Sequence, residues 1–260
     1  MATTTVGTAT DAWIDALGPE PAWQQIPWPE LRNRPLTQRE RAIVREYYNA
    51  RYPISSDYTA HHPWHVAIAQ FRVGLAQAVF GDLGRTIDLG CSAGEVVAAA
   101  RSRGVDAWGF DLCPDLADVA YPEVREFVRV GRFDHMPFSG SAGFRTAVSY
   151  DVFEHVPIDE LERMPDELLR LGIKQIACII SKDTITPEHI TIQDTGYYVE
   201  LLGRAGFRMM TELDAQLAEC PVPAGWDEAR QQPVWRHYTD TGAPRNGWNQ
   251  VPGHLFFVRD

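Results

Sequence analysis

From Thr86 to the final residue, short apolar runs alternate with segments of helical period. The runs are "TIDL", "DAWGFDL", "EFVRV", "TAVSYD", "QIACIIS", "FRMMTEL" and "HLFFVRD". Each is short enough for a strand, and near-continuous Val/Ile character suits strands buried on both faces. Helical stretches fit between them at 94–103, 115–120, 159–171 and 193–204. This alternation predicts an α/β fold, a doubly wound, seven-stranded and mostly parallel sheet covered by helices. With 260 residues there is room for one such domain and an appendage. We expect an N-terminal helical cover over 1–82 and the sheet domain over 83–260.

Within the cover, residues 1–10 are small and polar and are expected to be disordered. "TDAWIDALG" predicts a short helix capped by Thr10 or Asp11 and closed by Gly18. The proline-rich "GPEPAWQQIPWPEL" predicts an extended strap, because each proline removes a backbone donor. Thr37 and Glu40 have capping-box spacing before a helix that puts Ile43, Val44, Tyr47 and Tyr48 on one face. A second helix is expected from Pro63 to Phe80. Between the two lies "RYPISSDYTAHHPWH", dense in Tyr and His. The breaker-rich segment 220–253 carries Trp226, Trp235 and Trp248, which favour an ordered loop.

The net charge of −11 and a pI near 5.2 argue against a nucleic-acid partner, which requires a basic stripe, and favour a small-molecule substrate. Cys91, Cys113, Cys178 and Cys220 are scattered without zinc spacing, so free thiols in a reducing cytoplasm are expected. Adjacent His61 and His62 diverge and have no acid cluster beside them, so no metal is expected either. "MATTTVGTAT" has no signal-peptide character, and no apolar run reaches the roughly 18 residues of a membrane span. A cytoplasmic protein that avoids membranes is the expectation. The oligomeric state is left open.

Ligands of doubly wound sheets bind at the carboxyl ends of strands, near the point where strand order reverses. The turn to inspect is therefore "TIDLGCSAGEVVAA", residues 86–99. A dinucleotide fingerprint needs glycine at 92 and 95, where Ser92 and Glu95 stand. A phosphate-binding loop of the G-K-[ST] type also fails. What remains is Asp88, Gly90 and Gly94 in D-x-G-x-x-x-G.

This pattern resembles motif I of the class I S-adenosylmethionine-dependent methyltransferases, commonly D-x-G-C-G-x-G. Asp88, Gly90, Cys91 and Gly94 match it, and Ser92 departs from it. "WGFDLCPDL" resembles the family's second strand, "RFDHMPF" its D-x-x-x-L-P-F segment, "VSYDVFEHVP" the segment after strand four, and "YYVELLGRAGF" the helix before strand six. The likeness covers about 83–211 plus the last strand.

The resemblance implies the Rossmann-like methyltransferase fold and S-adenosylmethionine as cofactor. Asp111, 23 positions after Asp88, would bind the ribose diol with Leu112 beside it. Asp88 would fix the loop near the cofactor's amino group, and the helix after Gly94 would favour its carboxylate. Arg132 stands where the family often carries an acid toward adenine, which leaves Phe133 to stack and Asp134 to accept. Tyr150 and Asp151 would face the reacting centre, with His155 as a candidate base. Tyr58, His61, His62, Trp64 and His65 would line the acceptor pocket, and Arg72 or Arg51 could hold a carboxylate. The leading expectation is a metal-independent methyltransferase for a small acceptor. The alternatives are a cyclase that consumes S-adenosylmethionine and releases methylthioadenosine with a small-ring amino acid, and a non-catalytic cofactor-binding subunit. A dehydrogenase is the weakest reading, because the glycine count fails.

Overall fold

A computed structural model describes residues 12–51, 63–211, 213 and 254–260. The expectations for residues 1–10, Tyr58, His61, His62, Cys220 and all of the 220–253 loop lie outside the described residues. Three helices come first: α1 (Ala12–Asp15), α2 (Gln38–Arg51) and α3 (Pro63–Phe80). Strand and helix then alternate through β1 (Thr86–Leu89), α4 (Glu95–Ser102), β2 (Ala107–Asp111), α5 (Leu116–Val119), β3 (Val128–Val130) and β4 (Thr146–Tyr150). The remaining elements are α6 (Ile158–Leu161), α7 (Met164–Leu171), β5 (Gln175–Ile179), α8 (Thr195–Gly203), β6 (Arg208–Met209) and β7 (His254–Val258).

The seven strands form one sheet in the order β3-β2-β1-β4-β5-β7-β6, parallel except for β7, which runs against both its neighbours. Successive residues of a strand point to opposite faces, and the core divides accordingly. Ile87, Leu89, Ala147, Ile176 and Phe257 belong to one buried cluster. Val148, Tyr150, Ala177 and Phe256 belong to another, shared with Val44 of α2, Leu75 of α3 and Val97 of α4. The N-terminal helices are therefore built into the core on one face of the sheet.

The capping box forms as expected. The Glu40 amide donates to Thr37 Oγ1 at 3.2 Å, and the Thr37 amide donates to Glu40 Oε2 at 2.9 Å. Two expectations need correction. The strap is not extended throughout: it holds two 3-10 turns, Ala22–Gln25 and Trp28–Leu31, entered from Pro21 and Pro27. A proline at a helix entry gives up a donor that has no partner there anyway, so these prolines permit the turns they seemed to exclude. The single helix expected over 159–171 is divided into α6 and α7, because Pro165 cannot donate to the carbonyl four residues back and its ring collides with it.

Strand order reverses between β1 and β4. Asp88 pairs in register with Gly109 of β2 and with Val148 of β4, so the chain segments leaving β1, β2 and β4 emerge together at one edge of the sheet. In a doubly wound sheet this is the ligand-binding crevice.

Candidate active site

A cavity of about 750 Å³ opens at that edge, roofed by residues of α2 and α3. Its floor is the turn after β1. Gly90, Ser92 and Gly94 all adopt left-handed backbone, with φ of +82°, +48° and +92°. A Cβ on Gly90 would run into Val152 Cγ1, and one on Gly94 would lie 2.7 Å from Val124 Cγ2. Both positions thus require glycine twice over, for conformation and for space. Cys91 has a buried thiol packed against Gly109, so it meets a ligand through its backbone alone.

Ser92 tolerates left-handed backbone, and its amide donates to Asp111 Oδ2 at 3.0 Å. The Cys113 amide donates to Asp111 Oδ1 at 3.1 Å. Asp111 and Leu112 both line the cavity. Ser92 Oγ is buried and has no hydrogen-bond partner among the described residues.

Negative charge is concentrated around this turn. Burial, with Glu95 adding to it, holds the Asp88 carboxyl well above the usual carboxylate range. Burial likewise pushes Glu95 up to about 7. Arg72 of α3 offsets part of this charge. Its guanidinium sits 4.8 Å from the centre of the Tyr150 ring and pairs with Asp151. S-adenosylmethionine carries a sulfonium and an ammonium group, a ribose diol and one carboxylate. Buried carboxylates, the Asp111 carboxylate at the cavity wall, a hydroxyl without a partner among the described residues and a glycine cradle fit that group.

Tyr150 lines the cavity, but its hydroxyl donates to the Arg72 carbonyl oxygen at 3.2 Å and burial raises its pKa, so it positions rather than accepts protons. Asp151 also lines the cavity, in left-handed backbone at φ +58°, with its amide donating to the Ile179 carbonyl at 2.9 Å. Phe133 reaches the cavity wall while packing edge-on against Phe110 and Phe153. Asp134 does not line the cavity. Arg132 grips it through two 3.0 Å hydrogen bonds, and Arg132 takes the wall position instead.

His155 and His65 both line the cavity, and burial together with nearby His189 lowers His155 to about 4. The imidazole is neutral at physiological pH and a weak base. Glu154 and His189, which the sequence reading passed over, join it: one ligand atom from each of Glu154, His155 and His189 lies within 4.8 Å of the other two. Glu154 was visible in "FEHV" as the residue before the candidate base. His189 lies in a loop 34 positions later with no local signal.

A family model described as "Methyltransferase domain" matches residues 87–178. That span runs from β1 into β5 and contains the glycine turn and Asp111. Over those residues the chain is similar to a methyltransferase domain.

Two solved methyltransferases share the fold. Magnesium protoporphyrin IX methyltransferase from Synechocystis PCC 6803, with bound S-adenosylmethionine, is 16% identical with a TM-score of 0.50, over 85% of this chain and 97% of that one. The plantazolicin methyltransferase BpumL, in complex with S-adenosylhomocysteine, is 14% identical with a TM-score of 0.52, over 85% of this chain and 95% of that one. No curated relative matches the chain in sequence. Among the described residues no helix is long and apolar enough to cross a membrane.

Proposed function

We propose that this chain is an S-adenosylmethionine-dependent methyltransferase of the class I family, acting on a small-molecule acceptor bound in the same cavity as the cofactor. The observation that carries the reading is continuity: one cavity of about 750 Å³ runs from Asp88 and Asp111 to Asp151 and His155. This is the volume range of small-molecule sites. The acidic chain, at −11, supports a small acceptor over a polyanion.

When bound, S-adenosylmethionine supplies an activated methyl group whose leaving group is a neutral thioether. Asp111 would hold the ribose diol. The Gly90–Gly94 turn and the start of α4 would receive the methionine end, with Arg72 at hand for its carboxylate. The chain's remaining work is alignment of the acceptor and removal of its proton where it has one. Asp151 is the acceptor-side carboxylate for that proton, since Tyr150 is committed to a carbonyl and His155 is a weak base.

The test is incubation with S-adenosylmethionine and a panel of small hydroxyl, amine and thiol acceptors. Acceptor-dependent release of S-adenosylhomocysteine is expected. Methylthioadenosine formed without any acceptor would replace this reading with cyclisation of the cofactor.

A further inference from the structure

Glu154, His155 and His189 each bring one ligand atom within 4.8 Å of the others, beside the cavity that His155 lines. His155 Nδ1 lies 3.2 Å from the Glu188 carbonyl oxygen, and His189 Nδ1 lies 2.8 Å from the Asp183 carbonyl oxygen. A carbonyl oxygen only accepts, so each Nδ1 carries the ring proton and each Nε2 keeps its lone pair. Glu154 is fully buried. Its Oε1 accepts from the Ser181 amide at 3.0 Å, while Oε2 has no hydrogen-bond partner among the described residues.

The backbone holds these groups together. The Ile190 and Thr191 amides both donate to the Glu154 carbonyl, at 2.8 and 2.9 Å, which pins His189 beside the 3-10 turn Phe153–His155. The Asp183 carboxylate accepts from the Ile185 and Thr186 amides at 2.7 and 3.1 Å, closing the loop that presents its carbonyl to His189. From α2, the Tyr48 hydroxyl reaches His155 Nδ1 at 3.1 Å. Imidazole Nδ1–H donated to a backbone carbonyl is the outer arrangement that orients metal-ligating histidines and fixes their tautomer.

We propose that Glu154, His155 and His189 bind a divalent first-row transition cation through two imidazole nitrogens and one carboxylate oxygen. Two nitrogens and one oxygen suit Zn²⁺, Fe²⁺, Mn²⁺ or Co²⁺, whereas Mg²⁺ and Ca²⁺ call for oxygen donors throughout. Three protein ligands leave coordination positions open. Because His155 lines the cavity, those positions are available to the acceptor. The inference rests on the methyltransferase reading in one respect: the acceptor it implies carries oxygen or nitrogen donors that complete the coordination. It replaces the sequence-based expectation of a site without metal. A cation compensates the carboxylate and uses both lone pairs.

The test uses the full chain, stripped of metal with a chelator and titrated with Co²⁺, Mn²⁺ and Zn²⁺. One equivalent per chain is expected, with visible ligand-field bands for Co²⁺ and two imidazole nitrogens in the pulsed paramagnetic resonance of the Mn²⁺ form. His189→Ala and Glu154→Gln should each weaken binding at least tenfold, with S-adenosylhomocysteine affinity held within about twofold. Failure of all three ions to bind the wild-type chain stoichiometrically overturns the site, as does binding that neither variant weakens. The cation titration needs no cofactor, and cofactor binding is measured on the metal-free chain. Cation binding without S-adenosylhomocysteine binding therefore removes the methyltransferase reading and keeps the site, and the converse removes the site alone.

Discussion

The Ser92 amide donates to Asp111 Oδ2 across 3.0 Å, which ties the turn after β1 to the end of β2. The amide gives its proton and the carboxylate oxygen accepts it, beside a cavity that both residues line. The turn geometry and the carboxylate proposed for the ribose are thus one construction.

Asp111→Asn should separate the two roles. Asn keeps one acceptor oxygen for a backbone amide but presents an NH2 group to the other, and it loses the charge that strengthens hydrogen bonds to ribose hydroxyls. Hydrogen bonds to charged groups contribute about 1.5–3 kcal/mol, so S-adenosylhomocysteine should bind roughly 10- to 100-fold more weakly. Calorimetric titration checks it. Unchanged affinity would remove Asp111 from the ribose site.

Gly90→Ala should destabilise the chain whether or not cofactor is present. Left-handed backbone costs an L-residue about 1–2 kcal/mol, and here the new methyl also meets Val152 Cγ1. Val152→Ala removes the collision and leaves the backbone cost. The double variant should accordingly melt above Gly90→Ala yet below wild type. If Gly90→Ala melts with the wild type, the left-handed turn is wrong.

Legibility in the sequence followed the range of the interactions concerned. Strand positions and the Asp88, Gly90, Gly94 and Asp111 set were readable because periodicity and turn chemistry act over a few neighbouring residues. The strap was misread because proline's local effect depends on whether it sits inside a helical turn or at its entry, as Pro21 and Pro27 do. Tertiary partners left no local trace. Arg72 meets Asp151 79 positions away, and His189 joins His155 only because β5 and its following loop return beside β4. Asp134 was read toward adenine in place of Arg132, two positions away, without the ion pair that joins the two.

Glu95 predicts a pH dependence with a definite sign. Burial raises its folded-state pKa from 4.5 to about 7, so between those values the folded chain holds a proton that the unfolded chain has lost. Stability then falls with rising pH across that window and levels off above it. Glu95→Gln removes this contribution. In cofactor-free protein its melting temperature should match wild type near pH 4.5 and exceed it increasingly up to about pH 7. A constant difference across the window would show that Glu95 ionises normally in the folded chain.

Ser92→Gly should move stability and affinity in opposite directions. The cofactor-free chain has a serine in left-handed backbone at φ +48° and a buried hydroxyl without a partner among the described residues. Glycine relieves about 1–2 kcal/mol of backbone cost and removes a buried unsatisfied group that costs about 1–3 kcal/mol. It gives back about 0.5–1 kcal/mol in chain entropy. The cofactor-free variant should therefore melt several degrees higher. If the hydroxyl is kept for a ligand, S-adenosylhomocysteine affinity should fall by roughly 3- to 30-fold, the worth of one ordinary hydrogen bond plus the cost of leaving its partner unpaired. Paired melting curves and titrations read both quantities. A stabilised variant with undiminished affinity would make Ser92 a tolerated replacement for glycine, and a destabilised one would mean that its hydroxyl supports the turn itself.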